Sequence, residues 1–126
     1  MEKSIAGTLV IDPIDYYAKI LSSDRNSAGL HFIPVPIAKE LSENKELAQI
    51  MCTHPYYNIR SAYALVAINL NHIETLSNDD WRVRANLPLN PNVPMDVIKR
   101  LAADKNEYVS KAANLRLNPP AEYLRK

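Results

Sequence analysis

The chain has 126 residues, of which 47% are hydrophobic and 23% are charged, and its formal net charge is +1. These values are typical of one globular domain, and the low net charge argues against a strongly electrostatic partner such as duplex DNA. Two glycines against nine prolines disfavour a glycine-rich phosphate loop, and a single cysteine, Cys52, excludes a disulfide framework. The apolar run at residues 9–11 is too short for a signal peptide or a membrane span, so we expect a soluble, cytoplasmic protein.

The first 43 residues predict extended segments and two helices. Residues 1–11 have β-branched character and are expected to be an extended lead-in. Asp12 followed by Pro13 predicts a helix N-cap and a first helical residue. Residues 25–29 are predicted to form a turn. Residues 31–36 are expected to be extended, because a residue that precedes proline is disfavoured in the helical region, and the second helix should start directly after them.

From residue 44 onward the chain repeats itself with a period of about 25 residues, a length typical of helical repeat units. Apolar anchors recur at Met51, Leu76 and Leu101. Three positions after each anchor stands a polar residue, and these residues are His54, Asp79 and Asp104. A branched residue then heads a second helical segment in each unit, at Ile59, Val83 and Val109. Each unit therefore predicts a helix, a short turn and a second helix, followed by a break such as Asn90 to Pro94.

Internal similarity at such a period is typical of a solenoid, in which each unit buries its apolar face against its neighbours. The predicted fold is all-α: a short α-solenoid of about three two-helix repeats in residues 44–126. Residues 1–43 diverge from the repeat and are expected to form an N-terminal helical cap. The two parts together make one domain, residues 1–126.

The segment 76–104 resembles one known repeat family. It contains L-x-x-D from Leu76, the pair Val83-Arg84, N-P-x-x-P from Asn90, and V-I-x-x-L-A-x-D ending at Asp104. These motifs are similar to those of the leucine-rich repeat variant family, and the resemblance covers roughly residues 47–124. It implies a right-handed superhelix of paired helices, related in architecture to HEAT and armadillo repeats, and it implies no particular activity.

Two departures from the family pattern matter for this chain. Ile59-Arg60 repeats the Val-Arg pair in the preceding unit, whereas Ser110 replaces the arginine in the following one. One architecture of the family carries an iron–sulfur cluster on clustered cysteines outside the repeats, and the single Cys52 has no such neighbours. We therefore expect no cofactor.

No residue pattern predicts a metal or catalytic site. The only possible metal ligands would be His31, His54, His72, Cys52 and Asp79. Cys52-x-His54 is too closely spaced for both side chains to face one way on a helix. Cys52 falls beside a buried anchor, where a structural thiol is expected rather than a nucleophile. The H-x-E motif at His72 lacks the cysteine pair of zinc deaminases. We therefore expect a protein that is not an enzyme.

The aspartates are placed at predicted turns, which indicates a structural role for them. Asp79, Asp80 and Asp104 are expected to cap the helices that follow them. His54 has the same phase as Asp79 and Asp104 and is expected to do the same. Arg60 and Arg84 are expected to lie alongside these turns and pair with the carboxylates.

Basic residues are concentrated in the second half of the chain. Residues 59–126 hold ten lysines and arginines against seven carboxylates, a local charge of +3. A stripe on one face of a solenoid would suit nucleic acid, which is the alternative function, since such surfaces neutralise phosphates. The residues of this stripe would be Arg82, Arg84, Lys99, Arg100, Lys105, Lys111 and Arg116. The simpler interpretation is that these side chains are solvated helix faces, because the overall net charge is small.

Aromatic residues at the turns suggest the leading function. Tyrosine and tryptophan are typical anchors of protein interfaces, and the repeat itself does not require them at these positions. The predicted partner-binding residues are Tyr56, Tyr57, Trp81, Arg82, Arg84 and Tyr108. The alternative is that the rings only fill grooves between units. We expect a non-enzymatic protein–protein interaction module, of adaptor or inhibitor type, whose partner the sequence does not identify.

The chain ends suggest one further expectation. Residues 121–126 fall where the first helix of a next unit would form, and Tyr123 and Leu124 are a thin cap for a solenoid. Self-association is predicted through this end or through residues 9–11, which would give a homo-oligomer.

Overall fold

The computed structural model describes the main chain of residues 3–5, 8–23 and 30–124, and the side chains of residues 11–23 and 30–122. These residues form a short hairpin followed by eight α-helices. The strands are β1 (Lys3–Ile5) and β2 (Thr8–Val10). The helices are α1 (Pro13–Ser23), α2 (Val35–Leu41), α3 (Lys45–Cys52), α4 (Tyr57–Ala64), α5 (Leu70–Leu76), α6 (Trp81–Arg84), α7 (Met95–Leu101) and α8 (Glu107–Leu117). Two 3₁₀ turns occupy Leu87–Leu89 and Ala121–Leu124. The prediction of a helical fold is confirmed.

The predicted extended lead-in is an antiparallel pair of strands. Lys3 pairs with Val10, Ser4 with Leu9, and Ile5 with Thr8. The hairpin is a feature that the sequence pattern, read as a simple lead-in, does not predict. The turn predicted at residues 25–29 lies outside the described residues. The same holds for the side chains at both proposed self-association sites, apart from Ile11, Ala121 and Glu122.

Helix α1 begins as the sequence predicts, and helix α2 begins earlier. Asp12 Oδ1 accepts a hydrogen bond from the Ile14 amide at 2.9 Å, which caps the first turn of α1. The expectation that residues 31–36 are all extended is wrong at its end, because α2 already includes Val35 and Pro36. Pro34 is its N-cap, and Pro36 lies in the first turn, where the missing N–H has no helical partner to lose.

Helices α3, α5 and α7, the first helices of the predicted repeats, start at equivalent positions. Asn44, Asn69 and Pro94 are the N-caps of α3, α5 and α7, and they are equally spaced along the chain. The Asn44 and Asn69 side chains accept hydrogen bonds from the Leu47 and His72 amides, each at 3.1 Å. Pro94 instead begins its helix by its fixed φ angle. The three helices thus start at equal intervals, although two are capped by an asparagine side chain and the third is started by a proline.

The repeating apolar residues form the core. Met51, Leu76 and Ile59 are fully buried, as are the matching residues Val83 and Val109, and Leu101 is 2% exposed. Burying such a side chain stabilises the fold by roughly 1.5–3 kcal/mol.

Successive second helices are neighbours in space. Helix α4 packs against α6, and α6 against α8, while α3 contacts both α4 and α5. At the N-terminal end, α1 packs on α2 and α3. The turns that precede α4, α6 and α8 are the part of the structure where the candidate site lies. In the part of the chain that the structure describes, none of the helices has the length and apolar character needed to cross a bilayer.

Candidate protein-interaction surface

Two arginine–aspartate pairs fix the positions of successive turns. Arg60 donates from Nε and Nη2 to the Asp79 carboxylate at 2.8 and 3.0 Å, and from Nη1 to the His54 carbonyl at 2.7 Å. Arg84 repeats this one unit later: it donates to the Asp104 carboxylate at 2.8 and 2.9 Å and to the Asp79 carbonyl at 2.6 Å. The side chains of both pairs are 12–19% exposed. We call these two pairs the turn braces; planar two-point contacts of this kind define orientation as well as distance.

The polar residue at the start of each turn also shapes the turn itself. Asp104 Oδ1 accepts a hydrogen bond from the Asn106 amide at 2.8 Å, and Asp79 Oδ1 accepts one from the Asp80 amide at 2.6 Å. His54 is buried, and its Nδ1 accepts from the Tyr56 amide at 3.1 Å. His54 thus shapes its turn with an imidazole nitrogen in place of a carboxylate oxygen. The prediction that His54, Asp79 and Asp104 cap the following helices is wrong, because the N-caps of α4, α6 and α8 are Tyr56, Asp80 and Asn106. Asp80 alone of the predicted residues caps its helix, by accepting from the Arg82 amide. Arg84 lowers the pKa of Asp104 through their hydrogen bonds.

Four side chains at the three turns form one continuous stack, which we call the turn ridge: Tyr57, Arg82, Trp81 and Tyr108. The Arg82 guanidinium carbon lies 4.1 Å from the centre of the Tyr57 ring and 5.7 Å from that of Trp81. On the other side, Trp81 stacks on Tyr108 with ring centres 5.3 Å apart and an angle of 25° between the planes. Cation–π and aromatic contacts thus connect three successive turns.

A local ion pair holds Arg82 in place within the turn ridge. Its Nε and Nη2 donate to the Asp80 carboxylate at 2.9 and 3.0 Å, and its own amide donates to Asp80 Oδ1 at 2.9 Å. These bonds lower the pKa of Asp80 and raise the pKa of Arg82. The pair is solvent-exposed and is weakened by salt, so its main contribution is to orient the guanidinium over the Tyr57 ring.

The side chains of the turn ridge pack against one another and are still exposed to solvent. Trp81 is 38% exposed, Tyr57 37% and Tyr108 60%. The rings fill space between successive turns, as the alternative interpretation requires, and they also keep a large apolar area in contact with solvent. Large exposed aromatic surface of this kind is enriched at binding sites.

Two of the predicted partner-binding residues do not join the turn ridge. Tyr56 lies against His31 and His54, with ring centres 4.6 and 5.4 Å away. Arg84 is committed to the turn brace with Asp104 and is largely shielded from solvent. Both residues therefore support the turns and do not line the exposed stack.

The residues of the predicted basic stripe have separate local roles. Arg82 and Arg84 bind Asp80 and Asp104, Arg100 donates to both oxygens of Glu74 at 2.8 and 2.9 Å, and Lys111 lies 3.8 Å from Glu107. In the described part of the chain, Lys99 and Lys105 form no ion pair within 4.0 Å. The cations available to phosphate groups are thus fewer than the composition suggests.

The last stripe residue, Arg116, is an internal hydrogen-bond donor. Its Nη1 donates to the carbonyls of Pro88 and Asn90 at 2.8 and 3.0 Å. The buried Asn90 side chain donates in the same way to the carbonyls of Ala64 and Ala67, both at 2.9 Å. Sequence reasoning took Asn90 only as part of a helix break and missed this role. The separation between Asn90 and Arg116, close to one repeat period, is the signal that could have revealed it.

A polar chain across α3, α4 and α5 was also missed from the sequence. His72 Nδ1 lies 2.6 Å from the Tyr63 hydroxyl, and His72 Nε2 lies 3.0 Å from Gln49 Oε1. Because an amide oxygen can only accept, Nε2 carries the proton and Nδ1 accepts from Tyr63. Burial lowers the pKa of His72 and raises that of Tyr63, and both changes favour the neutral form of the group.

Cys52 is a buried thiol, as the sequence predicts. Burial raises its pKa to about 11, and the residue is only 3% exposed, so the thiol is largely protonated and shielded at neutral pH. Among the residues whose side chains are described, no group of three histidine, cysteine, aspartate or glutamate side chains is placed to bind a metal ion.

A comparison of the chain with protein-family models, with curated proteins and with solved structures gives no significant match in any of the three. Its function is therefore inferred from the contacts of the turn ridge and the turn braces.

Proposed function

We propose that residues 44–126 are a short right-handed α-solenoid of three two-helix repeats, related to the leucine-rich repeat variant family, behind a cap formed by residues 1–43. Three observations support this proposal: the N-caps of α3, α5 and α7 recur at equal intervals, the second helices pack in chain order, and the turn braces join each turn to the next. Arg60 and Arg84 stand at the Val-Arg position of the family motif, which gives that position a structural purpose.

We further propose that the protein is a non-enzymatic binding module that captures a protein partner through the turn ridge. The observation that carries this proposal is the continuous stack of Tyr57, Arg82, Trp81 and Tyr108 with its exposed aromatic surface. A core that needed only apolar padding would bury these rings as it buries Ile59, Val83 and Val109. Aromatic anchors flanked by arginine are the commonest high-contribution residues of protein interfaces.

The stack is well suited to binding because its parts are fixed before the partner arrives. Asp80 and Tyr57 orient Arg82, and Tyr108 orients the Trp81 ring. The turn braces hold the three turns at fixed separations. Association normally costs side-chain entropy at the interface, and a surface that is already ordered loses less of it. The binding would therefore proceed with little change in the backbone of the turns.

Affinity capture from the native host tests this function. The tagged chain, Trp81→Ala, Tyr108→Ala and the control Ile68→Ala would be compared by quantitative mass spectrometry, after circular dichroism has shown equal helix content. Ile68 is 61% exposed and lies in the linker between α4 and α5, away from the turns. Loss of the same protein with both ridge variants but not with the control is the expected result. Equal capture by all four chains would refute the assignment.

The nucleic-acid alternative has its own readout in a gel-shift titration at two salt concentrations. A shift at low salt that weakens steeply as salt rises would favour the basic stripe over the turn ridge.

A further inference from the structure

Charges around the turn ridge carry an inference about its partner, which rests on the proposed function above. We propose that the ridge binds an acidic peptide segment that carries an aromatic or proline anchor. The anchor would lie on the Trp81–Tyr108 stack, and a carboxylate of the segment would lie at Lys105.

The carboxylates near the turns are paired with cations of the same chain. Asp79, Asp80, Asp104 and Glu74 each bind an arginine through both oxygens, at distances between 2.8 and 3.0 Å. Glu107, next to Tyr108, is exposed and pairs more loosely with Lys111, at 3.8 Å. Most of the negative charge at the turns is thus neutralised within the chain, and it offers a cationic partner little attraction.

One cation near these turns has no ion-pair partner in the described part of the chain. Lys105 lies in the turn between α7 and α8, three residues before Tyr108, and forms no ion pair within 4.0 Å among the described residues. It lines a groove between the turn after α5 and the turn after α7, together with Arg84, Arg100 and Asp104. Lys105 contributes to the lowered pKa of Asp104, but that carboxylate already binds Arg84 through both oxygens. The charge in this turn that has no ion-pair partner among the described side chains is therefore positive.

The open face of Tyr108 indicates which kind of anchor it can bind. Tyr108 uses one side against Trp81 and is still 60% exposed, so its open surface can receive another flat or apolar group. Proline-containing extended segments and aromatic side chains are the peptide groups that pack on such rings at low entropic cost. A basic segment would meet Lys105 with like charge, which is unfavourable at an interface.

A single-stranded nucleic acid shares the negative charge and the flat rings but fits less well. Such ligands need a row of cations along the backbone. Here Arg82, Arg84, Arg100 and Lys111 already face carboxylates, and Arg116 binds main-chain carbonyls. One available lysine beside an aromatic stack suits a carboxylate better than a chain of phosphates.

Because Trp81 is the only tryptophan in the chain, its fluorescence reports occupancy of the turn ridge directly. The probes would be two synthetic peptides of about twelve residues, a length that can span the ridge in extended form. Both have a central Pro-Phe-Pro, flanked by glutamate in one peptide and by lysine in the other. An oligothymidine of similar length would be the third probe. We expect the acidic peptide to change Trp81 emission and to bind at least about tenfold more tightly than the basic one.

Two charge reversals complete the test. Lys105→Glu should weaken binding of the acidic peptide by about three- to tenfold, with a matching loss of salt dependence. Lys39→Glu is the matched control, because Lys39 is exposed and lines a separate crevice near Ile68 and Pro91, and it should leave binding unchanged.

Equal or tighter binding of the basic peptide, no effect of Lys105→Glu, or tighter binding of the oligothymidine would each overturn the acidic-peptide assignment. No response to either peptide would overturn it as well. The proposed function would survive any of these outcomes if Trp81→Ala still abolished capture of the host protein, so the two failures are distinguishable.

Discussion

Arg116 donates a hydrogen bond to the main-chain carbonyl of Asn90, and Asn90 donates through its own side chain to the carbonyl of Ala64. Each step spans 26 residues. Arg116 and Asn90 therefore make the same kind of hydrogen bond, from a side chain to a main-chain carbonyl at the same separation along the chain. The Ala64 carbonyl lies at the end of α4, where the helix leaves carbonyl groups without an internal partner. The Asn90 carbonyl also accepts from the Val93 amide, at 3.2 Å.

Asn90→Ala should destabilise the protein clearly. The Asn90 side chain is fully buried, it donates to the carbonyls of Ala64 and Ala67, and its Oδ1 accepts from the Asn92 amide. Leaving such groups without partners in the interior costs about 2–3 kcal/mol. Urea unfolding followed by circular dichroism measures the loss. Asn92→Ala is the control, because its side chain is exposed, and a similar loss in both variants would contradict the role of Asn90.

The turn brace between Arg84 and Asp104 should show strong coupling in a double-mutant cycle. Both side chains are largely shielded and share two hydrogen bonds, so Arg84→Ala and Asp104→Ala should be less costly together than in sum, with a coupling of about 1–3 kcal/mol. The exposed pair Arg100–Glu74 has similar distances and serves as the comparison, and its coupling should be smaller because solvent screens it. Additive effects at Arg84 and Asp104 would show that the brace does not hold the turns.

His72 should make stability depend on pH in the weakly acidic range. Burial lowers its folded-state pKa below the ordinary value of 6.5, so below that pH the unfolded chain binds more protons than the folded one. The free energy of unfolding should therefore fall as pH decreases from 6.5 towards the lowered pKa of the folded state, and should be fully restored above 6.5. Thermal melts of the wild type and of His72→Gln would measure this. Parallel pH profiles for the two proteins would rule the effect out.

Cys52 should react slowly in the native protein. With a pKa of about 11, only about one thiol in a thousand is ionised at pH 8, and the residue is almost completely buried. A disulfide reagent should label it only when the chain opens, and fully unfolded protein in guanidinium chloride should react at once. Since this is the only cysteine, the labelling rate reports opening around the end of α3. Native labelling as fast as unfolded labelling would contradict the described packing.

The sequence predicts the features that depend on its period. Leu76 and Leu101 are buried anchors, and the pairing of Arg84 with an aspartate at a turn follows from the repeated positions of both residues. These features are local or recur at one fixed separation, so a pattern of residue types is enough to reveal them.

Other features depend on how successive units lie over one another. Arg82 reaches the Tyr57 ring of the preceding turn, a contact that depends on the rotation between units and not on spacing alone. Tyr56 and Tyr57 are adjacent in sequence, yet one faces His31 and the other the turn ridge. The early start of α2 at Val35 depends on Pro34 acting as an N-cap, which competes with the tendency of Pro36 to keep Val35 extended.

The turn braces join each turn only to the next, with Arg60 to Asp79 and Arg84 to Asp104. Residues 79–103 therefore hold one acceptor and one donor of the turn braces, Asp79 and Arg84. A tandem duplication of that segment would place the first Arg84 against the duplicated Asp79, and the second Arg84 against Asp104, at the separation of 20 residues found in the present chain. Under the proposed repeat architecture, the longer chain would keep the pattern of turn braces, and each added segment would bring one more copy of Trp81 and Arg82.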